Sequence, residues 1–149
     1  MTRINSAIPV RNLTDEHLLA EHREIKRLPY CLKQAIRSGS ISKIPDQFVL
    51  GTGHVIFFLD KMLFVRNRLS KIHEECLKRG LNVASYDENF ADVEHIYLND
   101  YTPSERERTL LIERITERLK NTKKKSWHYY GEPITKENID TSTTPELKT

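Results

Sequence analysis

In the run HVIFFLDKMLFVRNRLSKIHEECLKRG, residues 54–80, apolar side chains return every three or four positions: Val55, Phe58, Leu59, Met62, Val65, Leu69, Ile72 and Cys76. That spacing lays one apolar stripe along a helix, and a stripe this long must be covered by other elements. The segment is therefore expected to be the central core helix, with a break near Asp60 and a stop at Gly80 behind Lys78 and Arg79. The preceding GTG (51–53) is not a phosphate loop, since it lacks a strand before it and a GK[ST] ending after it. Phe57 and Phe58 read as core residues rather than stacking surfaces.

Two further helices follow from the same rules. One starts at LTDEHLL, with Thr14 as N-cap, Asp15 and Glu16 at the positive end of the dipole, and Leu13 and Leu18 spaced as a staple. It should run to about Gly39 with Pro29 bending or breaking it, burying Leu18, Leu19, Ile25, Leu28, Leu32 and Ile36. The other begins at TPSE (102–105), with Thr102 as cap and Leu111, Ile115 and Leu119 facing inward. Residues 81–101 read as irregular, and no strand pattern emerges. The expected fold is all-α: a single compact domain of three main helices over residues 1–131, with irregular loops and a polar tail, residues 132–149, expected to be disordered.

Composition narrows the function classes. Residues 1–80 carry 14 Lys/Arg against 8 Asp/Glu, whereas residues 81–149 carry 10 against 13, so the front half is basic and suits an anionic partner. VIFFL (55–59) is the longest apolar run and too short to span a bilayer. The N-terminal MTRIN has no signal-peptide character, which places the expected site of action in the cytoplasm, that of an infected bacterial host if the chain is phage-encoded. Cys31 and Cys76 make no disulfide framework there, and His73 with Cys76 has no second pair to complete a zinc site.

Two short stretches carry possible chemistry. EHREIKR (21–27) sets Glu24 among Arg23, Lys26 and Arg27, either as an ordinary surface ion pair with Arg27 or as a carboxylate kept inside an anion-binding patch for a purpose. In MTRIN, removal of Met1 before a residue as small as Thr2 would expose an α-amine with a pKa near 7.7–8.0, against about 10.4 for lysine. Such an amine can form a Schiff base with a sugar carbon, and Arg3 beside it can hold a phosphate, although Thr is also simply a common second residue. No GxSxG, HExxH or spaced acidic cluster is present.

MTRIN, HLLAEHRE, GHVIFFLDK, ECLKRG and the late Trp127 with YYG, in this order over residues 1 to about 131, resemble the phage endonuclease V family of pyrimidine-dimer DNA glycosylases with AP-lyase activity. The resemblance implies the Thr2 α-amine as nucleophile and Glu24 as catalytic acid/base. It implies phosphate contacts by Arg3, Arg23, Arg27, Arg114 and Arg118, and DNA contacts by His17, Trp127, Tyr129 and Tyr130. It further implies a monomer acting on double-stranded DNA with ultraviolet lesions or abasic sites, without metal or cofactor. The chain departs from the pattern at Glu16, which stands where a neutral amide is usual, at Arg118 in place of a lysine, and in a longer lysine-rich loop before Trp127. A glycosylase for another damaged base would keep Thr2 and Glu24; a silent helical DNA-binding protein would need only the basic patch. WHYYG (127–131) suits either distorted DNA or a chain end pinned onto the core.

Overall fold

A computed structural model describes residues 4–121 and 127–134. The nucleophile candidate Thr2, its neighbour Arg3, the lysines at 123–125 and the tail from 135 lie outside the described residues. The fold is mainly helical, as expected, but two of the three anticipated helices are divided. The helices are α1 (Asp15–Ile25), α2 (Leu28–Ser38), α3 (His54–Phe57), α4 (Met62–Lys78) and α5 (Glu105–Asn121).

Each boundary has a local cause. Thr14 Oγ1 accepts from the His17 N–H at 3.1 Å and caps α1. Pro29 breaks the helix rather than bending it: its ring would clash with the carbonyl of Ile25, and α1 ends at that residue. Pro29 then sits in the first turn of α2, where its missing N–H costs nothing. The α3–α4 break comes at Asp60, where Lys61 Nζ donates to the Phe57 carbonyl at 2.9 Å and to Asp60 at 2.7 Å. At the far end of α4, Gly80 takes a φ of +77°, and Leu81 N–H and Gly80 N–H close back onto the Cys76 and Leu77 carbonyls at 2.8 and 3.0 Å. This is the double closure that only a residue free of Cβ strain makes cheaply. The cap of α5 is Ser104, not Thr102: Ser104 Oγ accepts from the Glu107 N–H at 3.1 Å.

The stripe of residues 54–80 is buried from Phe58 and Leu59 through Met62, Val65, Leu69 and Ile72 to Cys76, whose thiol burial pushes up to about 11, while Val55 at its start is only half-buried. It packs against α1, and Leu111, Ile115 and Leu119 of α5 join the same core. On α2 the inward position belongs to Ala35, while Ile36 is exposed. Phe48, Phe57, Phe58, Phe64 and Tyr101 meet edge to face around the α3–α4 corner.

The chain also forms an unanticipated hairpin, β1 (Trp127–Tyr129) against β2 (Glu132–Ile134), turning through Tyr130 and Gly131. Residues 132–134, read from sequence as the start of the tail, are its second strand. Its anchor is Arg79, whose side chain is fully buried. The guanidinium donates to Glu75, Asp15 and the carbonyls of Leu13, Val10 and Arg11, and lies within 4.9 and 4.6 Å of the Tyr129 and Tyr130 ring centres.

The N-terminal segment runs inside the molecule. Ile4, Asn5, Ser6 and Ile8 are buried, and a buried ion pair holds them. Glu21 accepts from the Asn5 N–H and side-chain amide at 3.0 Å each, and from Arg68 at 2.6 and 3.1 Å. Arg68 in turn donates to the Ser6 and Ile8 carbonyls at 3.5 and 2.7 Å. Ser6 also donates to the buried Glu107, which accepts from Tyr101 as well. Removing one partner of such a pair strands the other charge. Arg68→Met should therefore destabilise the protein by about 3–5 kcal/mol in urea unfolding.

Candidate active site

The break between α1 and α2 creates the site. Glu24 lies in the last turn of α1, and Arg27 N–H closes onto the Glu24 carbonyl at 3.1 Å as the chain turns into α2. Glu24 and Arg27 then line one open groove of about 670 Å³ whose other wall is Gly51–Ile56, the turn into α3. The Glu24 carboxylate is 17% exposed and stands 3.6 Å from the Arg27 guanidinium, which is 60% exposed. A pair this loose and this solvated contributes only about 0.3–0.5 kcal/mol. Glu24 is thus a carboxylate recessed in a groove beside a cation that remains available to an outside anion. Arg23, adjacent, is exposed.

The groove contains a residue that sequence reading did not single out. His54, the first residue of α3, is 1% exposed and lines the groove with Glu24. Its Nε2 accepts from the Ile4 N–H at 3.1 Å, and its Nδ1 lies 2.9 Å from the Val49 carbonyl. Both bonds form together only when Nδ1 carries the proton and Nε2 the lone pair. Burial pushes His54 below its usual value, which favours this neutral ring; Glu21 opposes the shift and Arg114 adds to it. Arg114 of α5 is half-buried and is not among the residues that line the groove. Arg118, one turn further along α5, is also half-buried.

The remaining predicted residues gather elsewhere along α1. His17 precedes Glu24 by seven residues, about 10 Å of helix. Its ring stacks on Trp127 at 4.7 Å and 8°, and its Nδ1 meets Thr14 Oγ1 at 2.7 Å. Tyr129 and the exposed Tyr130 are tied to the fold through their hydroxyls: Tyr129 Oη donates to the Arg11 carbonyl at 2.7 Å and Tyr130 Oη to Glu75 at 2.5 Å. Burial raises Glu75, but donation from Tyr130 and Arg79 outweighs it and holds the carboxyl below its usual range. Asp15 accepts from the Tyr130 and Gly131 N–H groups at 3.1 and 2.9 Å. Glu16 accepts from the His128 N–H at 2.7 Å and lies 2.9 Å from its ring Nδ1.

Among the described residues no group of three His, Cys, Asp or Glu side chains could hold a metal ion, and no helix is long and apolar enough to cross a membrane. The groove offers the chemistry of a recessed carboxylate beside an exposed guanidinium. The model of a protein family described as pyrimidine dimer DNA glycosylase matches residues 1–89, the stretch that contains the groove, His54 and the buried N-terminal segment.

Two histidines make stability depend on pH. Burial depresses His22, whose Nε2 lies 2.9 Å from the Ala84 carbonyl, as it depresses His54. Each is neutral when folded but takes up a proton near pH 6.5 when unfolded, so the unfolded chain gains as pH falls through that value. The melting temperature should drop between about pH 7.5 and 5.5, above the carboxylate range. The double variant His22→Gln/His54→Gln should show a flatter profile.

Proposed function

The chain belongs to the pyrimidine dimer DNA glycosylase family, a class of enzymes that cut glycosidic bonds in DNA, and on that premise we propose that it excises ultraviolet-induced pyrimidine dimers and then nicks the strand as an AP lyase. The observation that carries the reading is the buried segment that begins at Ile4 and is anchored to the groove that Glu24 lines. Ile4 is fixed to His54 on the groove wall, and two residues of chain span at most about 7 Å, so an amine on Thr2 stays close to the groove.

In the proposed reaction the unprotonated α-amine of Thr2, exposed by loss of Met1, attacks the anomeric carbon of the damaged nucleotide. The glycosidic bond breaks and the base leaves with the bonding pair; the sugar ring then opens at its C1′–O4′ bond, O4′ takes the electron pair and a proton, and the nitrogen lone pair completes the iminium that links protein to DNA. Loss of a 2′ proton then expels the 3′ phosphate by β-elimination, and hydrolysis of the imine frees the enzyme. Glu24, recessed yet open to the groove, stabilises the positive charge on the sugar and carries the protons. Arg3, Arg23, Arg27, Arg114 and Arg118 hold the flanking phosphates, which also keep the negative Glu24 from repelling the strand. His17 and Trp127 form a stacked aromatic platform further along α1. Tyr129 and Tyr130 serve that platform by fixing the hairpin that carries Trp127.

Borohydride treatment of the enzyme with abasic-site duplex should trap a covalent adduct whose peptide maps to Thr2. A version retaining Met1 should bind the duplex but give no adduct; full trapping by that version would defeat the assignment. Glu24→Gln removes one negative charge from a phosphate-binding groove, so duplex binding should hold or tighten while glycosylase turnover falls by about two orders of magnitude. Wild-type turnover in Glu24→Gln would reduce this carboxylate to the partner of a weak ion pair.

A further inference from the structure

We propose that His54 is a positioning residue for the reactive chain end, its Nε2 lone pair fixing the register of the N-terminal segment against the groove that holds Glu24. The inference rests on the Thr2 reading and deepens it. A core histidine with one ordinary hydrogen bond would carry no such meaning; three observations set this one apart. The bond it accepts comes from the backbone of Ile4, two residues from the proposed amine, and not from a side chain. The ring cannot follow a moving partner, because Phe48 and Phe58 meet it edge to face at 5.3 and 5.5 Å and Val49 holds its other nitrogen. The next residue, Asn5, is tied to Glu21, one turn before Glu24 on the same helix. The chain end is thereby referenced to both walls of the groove, to α1 through Glu21 and to α3 through His54.

The need for such a reference follows from the reaction. The α-amine of Thr2 belongs to the backbone itself, so no side-chain rotamer on a rigid element positions it. Alignment with an anomeric carbon has to come from the residue where the chain becomes fixed. A displacement of about 1 Å at a reacting atom lowers rates by about a hundredfold. The Ile4 carbonyl also lies 3.1 Å from Nε2, but the Nδ1–H ring has no proton there to donate, so the amide N–H alone is selected.

Two nearly isosteric substitutions separate positioning from packing. His54→Gln sets a carbonyl oxygen near the place of Nε2 and keeps an acceptor for Ile4. His54→Asn sets its amide near Nδ1, keeps the bond to Val49 and leaves Ile4 without a partner. Borohydride trapping is timed at saturating enzyme on abasic-site duplex, and affinity is measured separately on a duplex with a tetrahydrofuran site that cannot form an imine. His54→Asn should trap at least about tenfold more slowly, His54→Gln within about threefold of wild type, and both should bind the tetrahydrofuran duplex like wild type. Equal trapping by the two variants would overturn the proposal. If either variant fails to fold, a glycine inserted between Arg3 and Ile4 tests the premise of the proposal, that the register set at Ile4 governs the amine. It leaves every described bond in place and moves only the amine, so it should also slow trapping at least about tenfold, and unchanged trapping would overturn the proposal. Absence of a Thr2 adduct in the wild-type protein would instead overturn the Thr2 reading, and this one with it.

Discussion

The buried contact between Glu21 and Arg68 is the interaction on which the rest of this structure depends. Chain ends usually fray because nothing holds their backbone. Here residues 4–8 lie inside the molecule, where each unpaired amide would be costly, and the ion pair supplies their partners. Desolvating two charges costs several kcal/mol per ion, so the pair is not simply a source of stability. Its geometry shows what it secures: Glu21 serves two Asn5 donors and a forked guanidinium, while Arg68 reaches past it to two carbonyls of the same segment. An apolar pair of equal volume would fill the space but hold no backbone. Because Glu21 and Glu24 lie one turn apart on α1, the helix that grips the chain end also presents the recessed carboxylate.

Arg79 performs the corresponding task at the other end of α1. It closes the carbonyls before the helix, pairs with Asp15 inside the first turn and offers its flat faces to Tyr129 and Tyr130. A lysine would lack both the fork and the planar faces. The aromatic segment is thus fastened to the core through its hydroxyls and backbone. Trp127 is carried by that fastening onto the ring of His17.

The apolar part of the fold was legible in the sequence because period alone determines it. Val65, Leu69, Ile72 and Cys76 could only be one buried stripe, and Thr14 and Gly80 mark their helix ends by chemistry that needs no tertiary context. The polar interior was not legible by those rules. Glu21 stands in register with Leu18, Ile25 and Leu28, and Arg68 in register with Val65 and Ile72; either alone looks like a charge at the margin of a stripe. A carboxylate and a guanidinium each falling in an apolar register is the signal that they meet. His54 was similarly hidden: it follows Gly53 and opens an apolar run, and its partners Ile4 and Val49 are backbone atoms with no side-chain signature. The hairpin escaped because strands of three residues carry too few positions for a period of two, and its stability comes from Asp15, Glu16 and Arg79 far away in the chain. Glu24 and its arginines were visible as a motif, but the groove around them exists only once Pro29 has broken the helix and Gly51–Ile56 has folded alongside.

The threading of residues 4–8 also fixes how early the N-terminal segment can be secured. Arg68 lies 62 residues beyond Ser6 in the chain, and Glu107 lies 101 residues beyond it. At a synthesis rate of about 5–20 residues per second, the last of these partners follows the segment out of the ribosome by about 5–20 seconds. Throughout that interval residues 4–8 lack the partners that bury them in the folded protein. Closure of the core around this segment therefore waits for the second half of the chain to be made.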